Sequence, residues 1–248
     1  MELAVFGDSY TRRSGEPQQL GQLDLSWPEW LVSWGHTVSN YGHGGTSLWY
    51  THQLFLEHHH RHDRVVVMVT EARRQPIRGF TEVCTNGAEN LQWQIEHRDW
   101  TPDGVRALRA ARDHLLWAQN ALYCQHIHRL MVKELQELRP DALFVPCFPP
   151  PPLPVTEHID YFCGWTPQIQ GWQGHTLWDV SELDHHQFDL DLVKITADHR
   201  HCHMNEQNNR QFAQEIQTWL SQGTQPLRDV SIYHRPSRPI SHYFGYKD

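Results

Sequence analysis

Residues 2–11 read ELAVFGDSYT, and this stretch sets the start of the fold. An apolar run gives way to Gly7, Asp8 and Ser9, which are residue types that favour turns. The pattern predicts a short strand over Glu2 to Phe6 that ends in a turn. Ser9 is then either an ordinary turn residue or a nucleophile, and the rest of the chain has to decide between the two.

Three further segments have the character of strands. Thr37 to Asn40 is short and runs into a glycine-rich loop. RVVVMV at 64–69 is a β-branched run, typical of a strand that is covered on both faces. ALFVPC at 142–147 is the fourth strand, and the proline cluster that follows it can continue neither a strand nor a helix.

Apolar residues at helical spacing predict helices between and after these strands. One helix covers the segment from Trp27 to Trp34, with Ser26 as its N-cap. Residues 102–138 form one long helix or two joined helices, and Asn205 to Leu220 form the closing helix. The polar residues 80–100 are predicted to be an irregular surface insertion.

Strands that alternate with helices predict an α/β fold with a mainly parallel central sheet and helices on both faces. In such sheets ligands bind beyond the carboxyl ends of the strands. Ser9, the glycine loop, Thr70 and the proline loop each follow one strand, so they should lie along that one edge.

Length and charge limit the classes of function. A chain of 248 residues without a linker predicts one domain, over residues 1–224, followed by an extended tail over 225–248. The 29 acidic against 21 basic residues give a net charge of −8, which disfavours nucleic acid or an anionic membrane as a partner. The sequence does not indicate an oligomeric state.

Location and redox state follow from what the sequence lacks. Residues 1–20 do not have the pattern of a secretion signal, and no apolar run approaches the roughly 18 residues that span a bilayer, so a cytoplasmic protein is expected. The five cysteines form no CxxC pair and are expected to be reduced thiols.

A nucleophilic serine needs a histidine base, an orienting carboxylate and donors for the oxyanion. The segment ADHRHCHMNEQ at 197–207 offers Asp198, His201 and His203 just before the closing helix. The backbone amide of Gly45 in the glycine loop, together with that of Ser9, can stabilise an oxyanion.

This ordered set of motifs resembles the SGNH, or GDSL, hydrolase family. The resemblance rests on GDS at 7–9, NYGHGGTS at 40–47 and the Asp-plus-His block near the C-terminus. It implies a flavodoxin-like three-layer α/β/α fold. It also implies a Ser-His-Asp mechanism of an esterase, thioesterase or carbohydrate deacetylase, with no cofactor.

The resemblance leaves two histidines as the possible base. His203 matches the residues that follow the base in the family, but Asp198 then lies two positions further away than usual. His201 restores the usual Asp-x-x-His spacing but loses the downstream match. We favour His203 with Asp198 as its orienting carboxylate.

The third block departs from the family pattern. Where the family has Gly-x-Asn-Asp after the third strand, this chain reads TEARRQP at 70–76. Thr70 can replace the missing asparagine as an oxyanion donor, and Arg73 or Arg74 can stabilise negative charge, although Glu71 opposes them. Loss of one donor costs roughly 3 kcal/mol, which indicates a slower or differently selective enzyme.

Two histidine-rich segments raise the question of a metal. HHHRH at 58–62 lies where an exposed helix end or loop is expected and has no partner at motif spacing, so a solvated run is favoured. Adjacent residues on a short turn, such as those at 199–203, rarely all point inward. No metal site is predicted.

The substrate is expected to be a small molecule or a carbohydrate ester, with an O-acetyl group as the candidate. Residues 148–180 are too rich in proline, glycine and aromatic residues for a regular element. Trp165, Trp172 and Trp178 either form stacking platforms for a sugar or pack the loop against the body. The alternative function is an inactive binding or structural protein on the same fold, with a viral protein among the candidates.

Overall fold

The computed structural model describes residues 1–11, 25–72, 74–77, 80–84, 88–147, 177, 204 and 206–222. Its strands in this part of the chain are β1 (Glu2–Phe6), β2 (Thr37–Asn40), β3 (Arg64–Val69), β4 (Pro76–Ile77), β5 (Phe80–Cys84) and β6 (Leu143–Pro146). Its helices there are α1 (Trp27–Ser33), α2 (Leu48–His58), α3 (Ala88–His97), α4 (Pro102–Trp117), α5 (Ala121–Leu138) and α6 (Glu206–Gln222).

The central sheet has the order β2-β1-β3-β6 within the described residues, and its pairs are all parallel. The chain passes from β1 to β2 on one side and then returns past β1 to β3 on the other. This reversal is the flavodoxin-like order, and the carboxyl ends of β1 and β3 are the place where sheets of this kind bind ligands. The predicted α/β fold with a parallel central sheet is confirmed.

Strands β1, β3 and β6 send alternate side chains into two separate cores. On one face, Leu3, Val5 and Val66 pack with residues of α1 and α6, which include Trp27, Leu31, Phe212, Ile216 and Trp219. On the other face, Phe6 and Val67 pack with residues of α2 and α5, which include Leu48, Phe55, Val132 and Leu135. The sheet is therefore the middle of three layers.

The segment between β3 and α5 contains a small unit of its own. β4 and β5 form an antiparallel pair, α3 packs on α4, and Ile77, Leu91 and Leu108 form a third apolar cluster. The prediction that 80–100 is irregular was therefore wrong. The alternative left open over 102–138 is also settled, because α4 and α5 are separate helices. Asn120 caps α5 by accepting a hydrogen bond from the Tyr123 amide at 2.9 Å.

The sequence did not predict α2. Its buried residues are Leu48, Thr51, His52 and Phe55, which have helical spacing but include two polar side chains. A buried face of mixed polarity does not produce the apolar stripe by which an amphipathic helix is detected.

Two features of the described residues concern bilayers and thiols. None of the helices there is both long and apolar enough to cross a bilayer. Cys124 and Cys147 are buried free thiols.

Candidate active site

The loops that follow the parallel strands meet at the carboxyl edge of the sheet. Asp8 and Ser9 lie beyond β1, the glycine loop 41–47 lies beyond β2, and Thr70 lies beyond β3. Cys147 follows β6, and its amide bonds to the Val69 carbonyl at 2.9 Å. The predicted grouping of these loops on one edge is confirmed for the described residues.

Ser9 begins a single turn of 3₁₀ helix, Ser9–Thr11. The Thr11 amide and hydroxyl both donate to the Asp8 carbonyl, at 3.0 and 2.7 Å. The Trp27 indole donates to the Tyr10 carbonyl at 2.8 Å. Ser9 itself is only half-buried, whereas Asp8, Tyr10 and Thr11 are buried. The turn is thus fixed through its neighbours, and the serine is the residue left open to an incoming molecule.

The side chain of Asp8 holds this turn by a hydrogen bond with its backbone. It is completely buried; its Oδ1 accepts from the Tyr10 amide at 3.1 Å, and its Oδ2 accepts from the Thr70 hydroxyl at 2.9 Å. Arg74 donates to the same Oδ2 at 3.0 Å and also pairs with Glu71 at 3.0 Å. Arg74 therefore bridges two carboxylates, and Glu71 supports it rather than opposing it.

Asn40, the last residue of β2, ties the glycine loop to the Ser9 turn. Its Nδ2 donates to the Thr11 carbonyl, and its Oδ1 accepts from the Gly42 amide at 2.9 Å. A Cβ on Gly42 would lie 1.5 Å from the Thr11 hydroxyl, so only glycine permits this approach. The two loops therefore form one packed unit.

Gly45 has the backbone conformation that the sequence reading requires of it. Its φ of 76° lies in the left-handed region, which strongly favours glycine. The loop is also held by the His43 amide, which donates to the Gly7 carbonyl at 3.1 Å. Gly45 and Ser9 are both half-buried at the same edge of the sheet.

Thr70 connects Asp8 to the helix layer. Its side chain is buried and donates to Asp8, while its carbonyl accepts from His128 Nε2 at 2.7 Å. A hydroxyl has one proton, so the oxyanion role predicted for Thr70 would require the bond to Asp8 to break.

His128 lies on α5 with 3% of its surface exposed. Because a carbonyl only accepts hydrogen bonds, its Nε2 carries the proton that bonds to Thr70. Burial lowers the pKa of His128 to about 4, although the bond to Thr70 acts in the opposite direction. His128 is therefore neutral near pH 7.

This depressed pKa predicts a loss of stability in acid. Between the ordinary histidine pKa of 6.5 and about 4, the unfolded chain binds a proton that folded His128 does not. Stability that is complete above the unfolded pKa should thus fall by about 2 to 3 kcal/mol by about pH 4.5. Urea titrations above the unfolded pKa of 6.5 and at about pH 4.5 measure this fall in the free energy of unfolding. His128→Gln should show a smaller fall than the wild type, while the exposed His60→Gln should match the wild type; equal falls for all three contradict the prediction.

Cys147 is the other potential nucleophile at this edge. Burial, followed by the nearby Asp8 carboxylate, raises the pKa of the Cys147 thiol well above its usual range. The thiol is also completely buried. Cys147 is thus an inert thiol, and Ser9 is the more accessible and chemically suitable of the two.

Other predicted site residues lie outside the described residues. These are Asp198, His201, His203, Trp165, Trp172 and Trp178. Met204, the residue that follows His203 in the sequence, is buried in the same core cluster as Tyr10 and Cys147. Its carbonyl accepts from Asn209 of α6 at 2.8 Å, and the Asn209 side chain also accepts from the Trp27 amide at 3.1 Å.

The histidine run at 58–62 is more packed than the sequence predicts. His58 stacks on Tyr41 with ring centroids 4.5 Å apart, and His59 stacks on Phe55 at 4.6 Å. His62 bonds to the Tyr41 hydroxyl at 3.1 Å. In the part of the chain that the structure describes, no group of three potential ligands is placed to hold a metal ion.

Sequence reasoning missed the support of the Ser9 turn. Asp8 was read only as part of a turn, and Arg74 as a possible source of positive charge. His128 had a detectable signal, since it shares helical spacing with the buried Cys124 and Leu135 on α5. A histidine on an apolar helix face needs a polar partner, but the sequence cannot show which one.

Comparisons with known proteins give only distant likenesses. No family model and no curated protein matches the chain. It is similar to a structure of the psychrotrophic esterase EstA from Pseudoalteromonas sp., in which the esterase is inhibited by monoethylphosphonate. The two chains are 14% identical over 89% of this chain and 98% of that chain, with a TM-score of 0.40. A second similar structure is a protein assigned to the lipolytic G-D-S-L family from Desulfitobacterium hafniense DCB-2, at 14% identity over 58% of this chain and 76% of that chain, with a TM-score of 0.25. These scores do not define a shared activity, so the chemistry has to be argued from the residues of this chain.

Proposed function

We propose that this chain is a serine-dependent hydrolase of acyl esters, of the SGNH type, with Ser9 as its nucleophile. The observation that carries the proposal is the placement of Ser9. It is half-buried at the reversal point of the sheet, on a turn whose neighbours are buried and hydrogen-bonded. Preorganisation of this kind is what a nucleophile needs, because it keeps the attacking oxygen in one position.

The proposed oxyanion donors are the backbone amides of Ser9 and Gly45. The packing of the glycine loop against the Ser9 turn and the left-handed conformation of Gly45 support this assignment. Thr70 contributes indirectly in this scheme, because its hydroxyl donates to Asp8. An enzyme with two amide donors and no side-chain donor for the oxyanion is expected to be slower than one that has two amide donors and a side-chain donor.

The proposed base is His203, with Asp198 to orient it. Ser9 Oγ attacks the acyl carbon, and its proton passes to His203, which then gives it to the departing alcohol. Water attacks the acyl-serine in the second half of the reaction and restores Ser9. The burial of Met204 beside Tyr10 and Cys147 in the core supports the choice, because it anchors the chain at the residue that follows His203.

The proposed substrate is an ester of a neutral or small molecule, with a carbohydrate O-acetyl ester as the specific candidate. The net charge of −8 supports a neutral or cationic substrate over an anionic one. Trp165, Trp172 and Trp178 are the proposed stacking residues for a sugar ring.

Labelling with a fluorophosphonate probe tests the proposal. The probe phosphonylates an activated serine, so intact-mass analysis should show one adduct on the folded protein. Peptide mapping should place this adduct on Ser9, and heat-unfolded protein should remain unlabelled. An adduct on another residue overturns the assignment of Ser9. No adduct, together with no hydrolysis of a small acetyl ester, overturns the proposed function.

A further inference from the structure

A continuous chain of buried contacts links helix α5 to the Ser9 turn. His128 donates to the Thr70 carbonyl at 2.7 Å, and the Thr70 hydroxyl donates to Asp8 at 2.9 Å. Asp8 accepts from the Tyr10 amide at 3.1 Å, within the turn that begins at Ser9. All of these side chains are nearly or completely inaccessible to solvent.

We propose that His128 is a positioning residue for Ser9, acting through Thr70 and Asp8. This inference rests on the proposed function for its catalytic consequence, but the structural link can be measured without any activity. His128 does not touch the reacting atoms in this scheme. It fixes the peptide that leaves β3, and this peptide sets where the Thr70 hydroxyl meets Asp8.

The geometry favours a positioning role over a purely packing role. A buried residue that served only to fill space would not need a polar atom, and burial of an imidazole is unfavourable unless it is hydrogen-bonded. His128 directs its Nε2 proton to Thr70, whose hydroxyl holds Asp8 together with the guanidinium of Arg74. The helix that carries it packs on the opposite side of β3 from α6, so the link braces the turn from the second helix layer.

His52 provides a matched control. It is also a buried histidine, with 5% of its surface exposed, and its Nε2 lies 2.8 Å from Glu134 of α5. It belongs to the same helix layer, but in the described part of the chain its ring nitrogens contact Glu134 and Gln53 and not Thr70, Asp8 or the Ser9 turn. His52→Leu therefore removes a buried imidazole and its hydrogen bond to an exposed carboxylate without cutting the proposed link.

The test is hydrogen exchange of the Tyr10 and Thr11 amides, measured by mass spectrometry on folded variants. His128→Leu should accelerate this exchange by about tenfold, because the bonds that protect both amides end on Asp8. His128→Gln keeps an N–H donor and should stay within about threefold of the wild type. His52→Leu should leave the exchange unchanged. The rate at which the fluorophosphonate labels Ser9 should fall most in His128→Leu, less in His128→Gln and not at all in His52→Leu.

Each result separates the two proposals. Equal acceleration by His128→Leu and His52→Leu, or no rescue by His128→Gln, overturns the positioning role. If the wild type takes no adduct and does not hydrolyse a small acetyl ester, the proposed function fails, but the exchange rates still decide the role of His128. If His128→Leu does not fold, Thr70→Val removes the next contact in the chain with little change of shape. It should accelerate the same amides, and unchanged exchange in that variant overturns the link.

Discussion

Ser9→Ala is expected to lower kcat/KM for a small acetyl ester by at least about a thousandfold, because the variant has no oxygen to form the acyl intermediate. The free energy of unfolding should change by less than about 1 kcal/mol, since the half-buried side chain loses only its hydroxyl. Ester hydrolysis and urea denaturation of the same preparations measure the two quantities. A large loss of activity in a fully folded variant is the signature of a catalytic residue.

Two further variants sharpen this test. Ser33→Ala changes an exposed serine at the end of α1 and should keep full activity. His203→Ala should lose about as much activity as Ser9→Ala, and the double variant should be no worse than either, because nucleophile and base act as a unit. Hydrolysis by Ser9→Ala at the wild-type rate would show that another group carries the reaction.

The sequence was informative about the sheet because strand signals there are local and strong. The run at Arg64–Val69 contains four β-branched valines, and the boundaries predicted for Glu2–Phe6 and Thr37–Asn40 are those of the structure. The first two strands end at residue types that break strands or turn the chain, namely Gly7 after Phe6 and Asn40 itself. The helix α2 gave no such signal, since its buried face of mixed polarity depends on contacts with distant parts of the chain, and the β4-β5 pair was not predicted either.

The site was predictable in its location but not in its internal support. Ser9 and Gly45 follow strands that must be neighbours, so their common edge follows from the order of the strands. The pairing of Asp8 with Arg74 and Thr70 joins residues more than 60 positions apart, at 3.0 and 2.9 Å. No spacing rule in a single sequence identifies such a pair, because it is produced by the tertiary fold.

Asp8→Asn is expected to destabilise the protein by roughly 3 to 5 kcal/mol, the range for removing one partner of a buried ion pair. Asp8 is completely buried, and the side chain of Arg74 is only 9% exposed. The variant leaves the guanidinium of Arg74 with Glu71 as its remaining carboxylate partner in the described contacts, and Glu71 is more exposed. The NH₂ group of the new asparagine replaces a carboxylate oxygen that accepted hydrogen bonds, so it faces donors such as the Thr70 hydroxyl. Urea denaturation near neutral pH measures the change.

Asp113→Asn is the matched control for this effect. Asp113 pairs with Arg112 at 2.7 Å, so the contact is as short, but 54% of the Asp113 side chain is exposed. Water screens such a pair, and its loss should cost less than about 1 kcal/mol. The double variant Asp8→Asn with Arg74→Met should recover part of the stability, because it also removes the buried guanidinium that has lost its ion pair with Asp8. If Asp8→Asn costs no more than Asp113→Asn, burial has not made this carboxylate the anchor of the Ser9 turn, and the support of Ser9 must come from the backbone bonds of Thr11 and the indole of Trp27.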